Sequence, residues 1–245
     1  MTPNNDRFVQ SDKIRDVVFP FFLASNDSEE IKAESFEGTG FLIGQRGRAL
    51  TAGHVAKRLQ NGAAVGGFVG PSDAWFGFGV AAIELHPTED IAVVALDQPP
   101  WHTWNSWMQP CARWEGSSRH YGLWGYPEDL YHEVVVDGIA KGRPDLIFSE
   151  GHLRRCMSAI PLPAIKGDSF YELSAMAGRG CSGSPVIAWP PTPGGIWDII
   201  GVYCGERANQ SEAIAVGYAT RIDALEDWAP EILGHKLIEE RARTP

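Results

Sequence analysis

Short apolar or alternating runs, each closed off by Gly, Pro or Asp, recur along most of the chain. They are Val17 to Leu23, Gly40 to Ile43, Ile91 to Leu96, Glu133 to Val136, Ser184 to Ala188 and Ile199 to Tyr203. Runs of this length bounded by turn residues read as strands, and little apolar spacing of the i, i+3, i+4 kind is sustained between them. The chain is therefore expected to be all-β. Two stretches depart from the pattern. Ala52 to Leu59 suits a short helical turn. Ile222 to Ala242 carries Leu225, Trp228, Ile232, Leu233 and Leu237 at roughly helical spacing, which predicts a C-terminal α-helix with a restart or kink at Pro230.

A chain of 245 residues can bury a substantial core and divide into two packed lobes. The segment Trp101 to Glu115 is crowded with tryptophan, interrupted by Pro110, and separates the run ending at Asp97 from the one starting at Tyr121. The lobe boundary is placed there, giving an N-terminal lobe over 12–115, a C-terminal lobe over 116–221 and a helix and tail over 222–245. The tryptophans are expected to pack between the lobes, since aromatic rings carry large burial areas. Pro190, Pro191, Pro193, Gly194 and Gly195 form a turn cluster that predicts a hairpin loop inside the second lobe.

The net charge of -10 argues against a phosphate-binding surface, so no nucleic-acid partner is expected. The first residues lack a basic start followed by an apolar run, and nothing approaches the ~18 apolar residues of a membrane span. A cytoplasmic location without membrane contact is the expectation. Cys111, Cys156, Cys181 and Cys204 contain no close CxxC pair and no Cys/His cluster for zinc, so free thiols and no metal are expected.

Three segments carry chemistry. In Leu50-Thr51-Ala52-Gly53-His54-Val55 an apolar strand ends in a small-residue turn that fixes an imidazole in place. In His86-Pro87-Thr88-Glu89-Asp90-Ile91-Ala92 an acid abuts an apolar run, where a carboxylate can orient an imidazole. Asp90 is preferred to its neighbour Glu89 because it touches the run and has the shorter, stiffer side chain. In Gly178-Arg179-Gly180-Cys181-Ser182-Gly183-Ser184-Pro185 the glycines let the backbone turn sharply, exposing a hydroxyl and aiming amide hydrogens at one point.

Together these segments resemble the TA-x-H, D-I-A and G-x-S-G-x-P motifs of the trypsin-like peptidases. The order His, Asp, Ser is also that of chymotrypsin-type enzymes. Further likenesses support this. Gly38-Thr39-Gly40-Phe41-Leu42-Ile43 is similar to the strand before the histidine in bacterial members, including those of the high-temperature-requirement type. Gly125-Tyr126-Pro127, Ile200 to Gly205 and Gly217 to Ile222 are similar to second-barrel elements. The resemblance spans roughly Val17 to Trp228.

It implies two six-stranded antiparallel β-barrels with the active site in the cleft between them. By the same resemblance Ser182 is the nucleophile, His54 the general base and later acid, and Asp90 the residue that fixes the tautomer. The amides of Gly180 and Ser182 form the oxyanion hole. The implied reaction is peptide hydrolysis through an acyl-enzyme, with a protein or peptide substrate, a possible regulatory protein and no cofactor. A silent pseudoprotease that binds peptides, or an esterase using the same triad, are the alternatives.

Secreted members carry an acid just before the serine, which pairs with a new N-terminus after zymogen cleavage; here Cys181 stands there, so that activation is not expected. Cys181 is also a rival nucleophile, but only Ser182 has Gly next and Pro third. The family places its primary pocket floor before the nucleophile, where Met176 matches, with Tyr203, Cys204, Gly205 and Gly217 to Ala219 as walls. A neutral pocket preferring small or apolar residues follows, made shallow by Tyr203 or Cys204. Glu206 or Glu212 would favour basic residues instead if the register differs.

Overall fold

The computed structural model describes residues 14–24, 35–44, 46–69, 75–100, 102–113, 115–129, 131–136, 139–190, 197–209 and 214–240. The first six strands are β1 (Val18–Ala24), β2 (Phe36–Ile43), β3 (Arg48–Thr51), β4 (Ala63–Val69), β5 (Trp75–Leu85) and β6 (Ala92–Leu96). They close into a barrel in the order β1-β2-β3-β6-β5-β4, antiparallel throughout. A seven-residue helix, α1 (Gly53–Leu59), follows β3 and buries Val55, Ala56 and Leu59.

The second unit contains β7 (Gln109–Pro110), β8 (His120–Gly125), β9 (Tyr131–Val136), β10 (Ile139–Pro144), β11 (Ile147–Met157), β12 (Phe170–Leu173), β13 (Pro185–Ala188), β14 (Asp198–Asn209) and β15 (Ile214–Arg221). Six of these run β13-β8-β11-β12-β15-β14 and close through β13 against β14, while β9 and β10 form a separate hairpin. The all-β double barrel expected from the sequence is the architecture found.

Strand alternation explains why several runs are apolar without interruption. Successive residues face opposite sides of a sheet, and here both sides are covered. In β6, Val94 and Leu96 fill the first barrel, whereas Val93 and the preceding Ile91 face a core shared with the second barrel. In β2, Leu42 faces the barrel interior and Phe41 and Ile43 the shared core. From the other side, Tyr126, Ile187, Ile199 and Val202 complete that core.

The connection between the barrels is stitched to both. Met108 N–H donates to Leu42 O at 2.9 Å, and β7 adds in parallel to β14. The tryptophans expected to pack between the lobes do otherwise: Trp104 and Trp107 pack on the first barrel, Trp104 lying 5.6 Å from the Phe68 ring and 4.7 Å from that of Phe78. The first barrel is rich in phenylalanine at that end, and the indole of Trp104 covers it. Trp101 and Trp114 lie outside the described residues, as do Pro191, Pro193, Gly194 and Gly195 of the turn cluster.

The C-terminal helix is the clearest correction. Two 3₁₀ turns, Asp223–Leu225 and Leu237–Glu239, stand where an α-helix over 222–242 was expected, with residues 241–245 outside the description. Pro230 has no N–H and disfavours a helical residue before it, and Gly234 adopts φ 76°, a left-handed helix-ending conformation. Leu225, Leu233 and Leu237 are nonetheless buried, all in the shared core. The spacing reported burial correctly and periodic structure wrongly.

Candidate active site

His54 is the second residue of α1, with its side chain 37% exposed, and Asp90 precedes β6 with its side chain 4% exposed. His54 Nδ1 lies 2.7 Å from Asp90 Oδ2, and the backbone N–H of His54 donates to Asp90 Oδ1 at 2.8 Å. A carboxylate on Nδ1 makes that nitrogen the donor of the neutral ring and leaves Nε2 as an acceptor. The two-point contact requires close approach at Gly53, where a Cβ would stand 2.9 Å from Asp90 Oδ1 and 3.1 Å from Ile91 N. The small turn before the histidine therefore exists to let the carboxylate in.

Glu89 turns elsewhere. Its Oε2 accepts from Asp168 N–H at 3.3 Å, and burial raises its carboxyl pKa. His86 organises the same turn: Nδ1 accepts from Glu89 N–H at 2.9 Å and Thr88 N–H at 3.2 Å, and the ring packs edge-on against Trp228. Burial, then the nearby Lys166 charge, lowers its pKa to about 4, so it stays a neutral acceptor.

The loop 178–184 brings Ser182, half-buried, to the same cavity as His54. Arg179 O accepts from Glu128 N–H at 2.7 Å, and Cys181 O accepts from Ser184 N–H at 3.0 Å. Because C=O and N–H point oppositely in a planar trans peptide, the N–H groups of Gly180 and Ser182 are turned away from those partners. Neither donates to another backbone group among the described residues. Gly183, at φ 94°, could not be replaced, since a Cβ would fall 2.0 Å from Thr39 O and 2.3 Å from Thr51 Oγ1.

Thr39, from β2, holds this loop to the first barrel. Its N–H donates to Ser182 O at 2.9 Å and its hydroxyl donates to Gly180 O at 3.0 Å while accepting from Tyr126 N–H at 3.0 Å. Thr51 Oγ1 donates to Thr39 O at 2.7 Å. Every polar group of this fully buried residue is used. Its positioning role was not read from the sequence; a threonine between two glycines in a strand destined for the core was the available signal.

Cys181 is fully buried, its Sγ donates to Ala177 O at 3.0 Å, and burial pushes the thiol up to about 12. A protonated, enclosed thiol is no nucleophile. All four cysteines are free.

The cavity, of about 770 Å³, is lined by His54, Ser182, Arg179, Tyr203, Cys204 and Gly205, with Leu162, Ile165 and Glu206 among the others. Of the expected pocket residues, Tyr203, Cys204 and Gly205 are there. Met176 is not: it is 37% exposed and points outward, because Ala177 takes the inward place, its N–H donating to Tyr203 Oη at 3.2 Å. Gly217 packs beneath the Tyr203 ring and does not line the cavity. Glu212 lies outside the described residues. No group of three or more His, Cys, Asp or Glu able to hold a metal occurs among the described residues.

A model of the trypsin-like peptidase domain matches residues 38–188, well over half of the chain. No curated protein matches at the sequence level. Among solved structures, the protease domain of MamO from Magnetospirillum magneticum superposes with a TM-score of 0.59 at 10% identity, over 86% of this chain and 94% of that one. Neuropsin from mouse brain gives 0.57 at 15% identity, over 87% and 92%. The Rv3671c protease of M. tuberculosis in its active form gives 0.51 at 19% identity, over 84% and 76%. At these identities the structural likeness speaks for the fold.

Proposed function

The chain belongs to the trypsin-like peptidase family, and from that premise we propose that it is a serine endopeptidase working through His54, Asp90 and Ser182. Ser182 Oγ attacks the peptide carbonyl while His54 Nε2 takes its proton. Asp90 holds the ring in the tautomer that leaves Nε2 free and stabilises the imidazolium that forms. The N–H groups of Gly180 and Ser182 meet the developing oxyanion. His54 then protonates the leaving amine, and water, activated by the same ring, hydrolyses the acyl-enzyme.

The observation that carries this reading is the two-point His54–Asp90 contact opening onto the cavity that Ser182 lines. The orientation of the Gly180 and Ser182 amides supports it. A peptide-binding pseudoprotease would need none of this arrangement. Four unpaired thiols support work in a reducing compartment.

A fluorophosphonate probe tests the reading directly. Mass spectrometry should find the adduct on Ser182, and proteome digestion by wild type but not by Ser182→Ala should yield new peptide termini. An unlabelled Ser182 together with identical termini from both proteins would replace the protease with a binding module.

A further inference from the structure

The space assigned by resemblance to the side chain beside the scissile bond lies between three segments: 174–178, β14 around Tyr203 and β15 around Gly217. It is filled by the Tyr203 ring. Tyr203 is 1% exposed, and its ring runs so close to β15 that a Cβ on Gly217 would stand 2.8 Å from Tyr203 Cε2 and 2.7 Å from Ala175 O. At the far end the hydroxyl accepts from Ala177 N–H at 3.2 Å and donates to Glu206 Oε2 at 2.9 Å, an oxygen that also accepts from Gly178 N–H at 3.1 Å.

The near end is fixed as firmly. Tyr203 N–H donates to Ser184 O at 2.9 Å, and Tyr203 O accepts from Gly183 N–H at 2.7 Å, the residue that follows Ser182. The ring is thus anchored by its backbone beside the nucleophile and by its hydroxyl at the opposite segment. Swinging it aside would strand a buried phenol and a buried amide without partners, which native interiors avoid.

We infer that Tyr203 is a specificity-determining residue that plugs the primary pocket, so that cleavage follows residues no larger than glycine, alanine or serine. The inference rests on the endopeptidase reading. It also disposes of Glu206 as a receptor for basic side chains: that carboxylate anchors the plug, and the ring occupies the space an arginine or lysine would need. The open cavity borders the three segments at Gly178, Gly205 and Tyr218 and extends from the plug along Leu162, Pro163 and Ile165 in the connection from β11 to β12.

The experiment uses peptidyl diphenyl phosphonates that differ only in the side chain beside phosphorus, with labelling of Ser182 read by mass spectrometry. Wild type should react with the alanine analogue about 100-fold faster than with the phenylalanine or arginine analogues. Tyr203→Val removes the ring while keeping a residue suited to a strand, and should bring the phenylalanine analogue to parity with the alanine one or above it. Tyr203→Phe keeps the ring and should retain the small-residue preference. Labelling of wild-type Ser182 that favours phenylalanine or arginine would overturn the plug and leave the endopeptidase intact. The same holds if folded Tyr203→Val, checked by its circular dichroism, keeps the wild-type order. Failure of every phosphonate and of the fluorophosphonate to label Ser182 would overturn both.

Discussion

In the proposed mechanism His54, Asp90 and Ser182 act on one proton transfer, so their contributions should not be separable. Ser182→Ala and His54→Ala are each expected to reduce turnover by about 10⁵ to 10⁶, with the double variant little worse. Losses that add would show two independent functions. Thr39→Val tests the residue that holds the loop. It preserves shape but removes the donor to Gly180 O and the acceptor for Tyr126 N–H, which should cost about 1–3 kcal/mol in stability. Turnover should fall while KM changes little, because the displaced amides matter most to the oxyanion. Equal destabilisation with unchanged kcat would make Thr39 a structural bond only. The His54–Asp90 contact and the place of Ser182 in the same cavity as His54 were legible in the sequence because each residue sits in a short, distinctive turn. Thr39 was not, since threonine is an ordinary strand residue whose partners lie far off in the chain. That Tyr203 or Cys204 would make the pocket shallow was legible, but not which of the two turns inward. Register shifts in β13 and β14 break the alternation that would have revealed it.

Elements were predictable to the extent that local spacing decided them. Strands β1, β2, β6, β9, β13 and β14 followed from alternation and bounding turns, whereas the glycine-rich β4 and β5 and the polar β11 gave no such run. The terminal segment 222–240 did not become a helix, because Pro230 and Gly234 outweigh a periodic set of leucines that any compact path can bury. The turn 86–90, which delivers Asp90, depends on a neutral His86. With its pKa near 4 in the folded chain against an ordinary 6.5, the unfolded chain binds a proton in that interval that the folded one does not. Stability should therefore fall as pH drops from 6.5 toward 4 and recover as pH rises. His86→Asn offers a similar acceptor that does not titrate. Its melting temperature should decline less than that of wild type between about pH 6.5 and pH 5, the raised Glu89 carboxyl being common to both proteins. An identical decline would place the acid sensitivity in another element.

At the scale of the molecule, the barrels share one chain and no disulfide ties them together. The four thiols are unpaired, so reducing agent should leave both melting temperature and activity unchanged. A clear loss of stability in reductant would reveal a disulfide. What joins the barrels is the shared core, which runs from Ile14 through Phe41, Leu50 and Val93 to Ile199, Ile222, Leu233 and Leu237. Unfolding should accordingly appear as one transition, coincident by tryptophan fluorescence and by circular dichroism; two separated transitions would mean that the barrels melt independently. That core has an order of completion as well as a place. Leu233 and Leu237 follow every other fully buried member of the cluster in chain order, so the cover over the back of the first barrel is completed by side chains about fifty residues beyond Ser182. A chain cut between Arg221 and Leu233 keeps the nucleophile and both barrels' strands but lacks the leucines that bridge them. Closure of the two halves thus depends on side chains far downstream of the cleft they enclose.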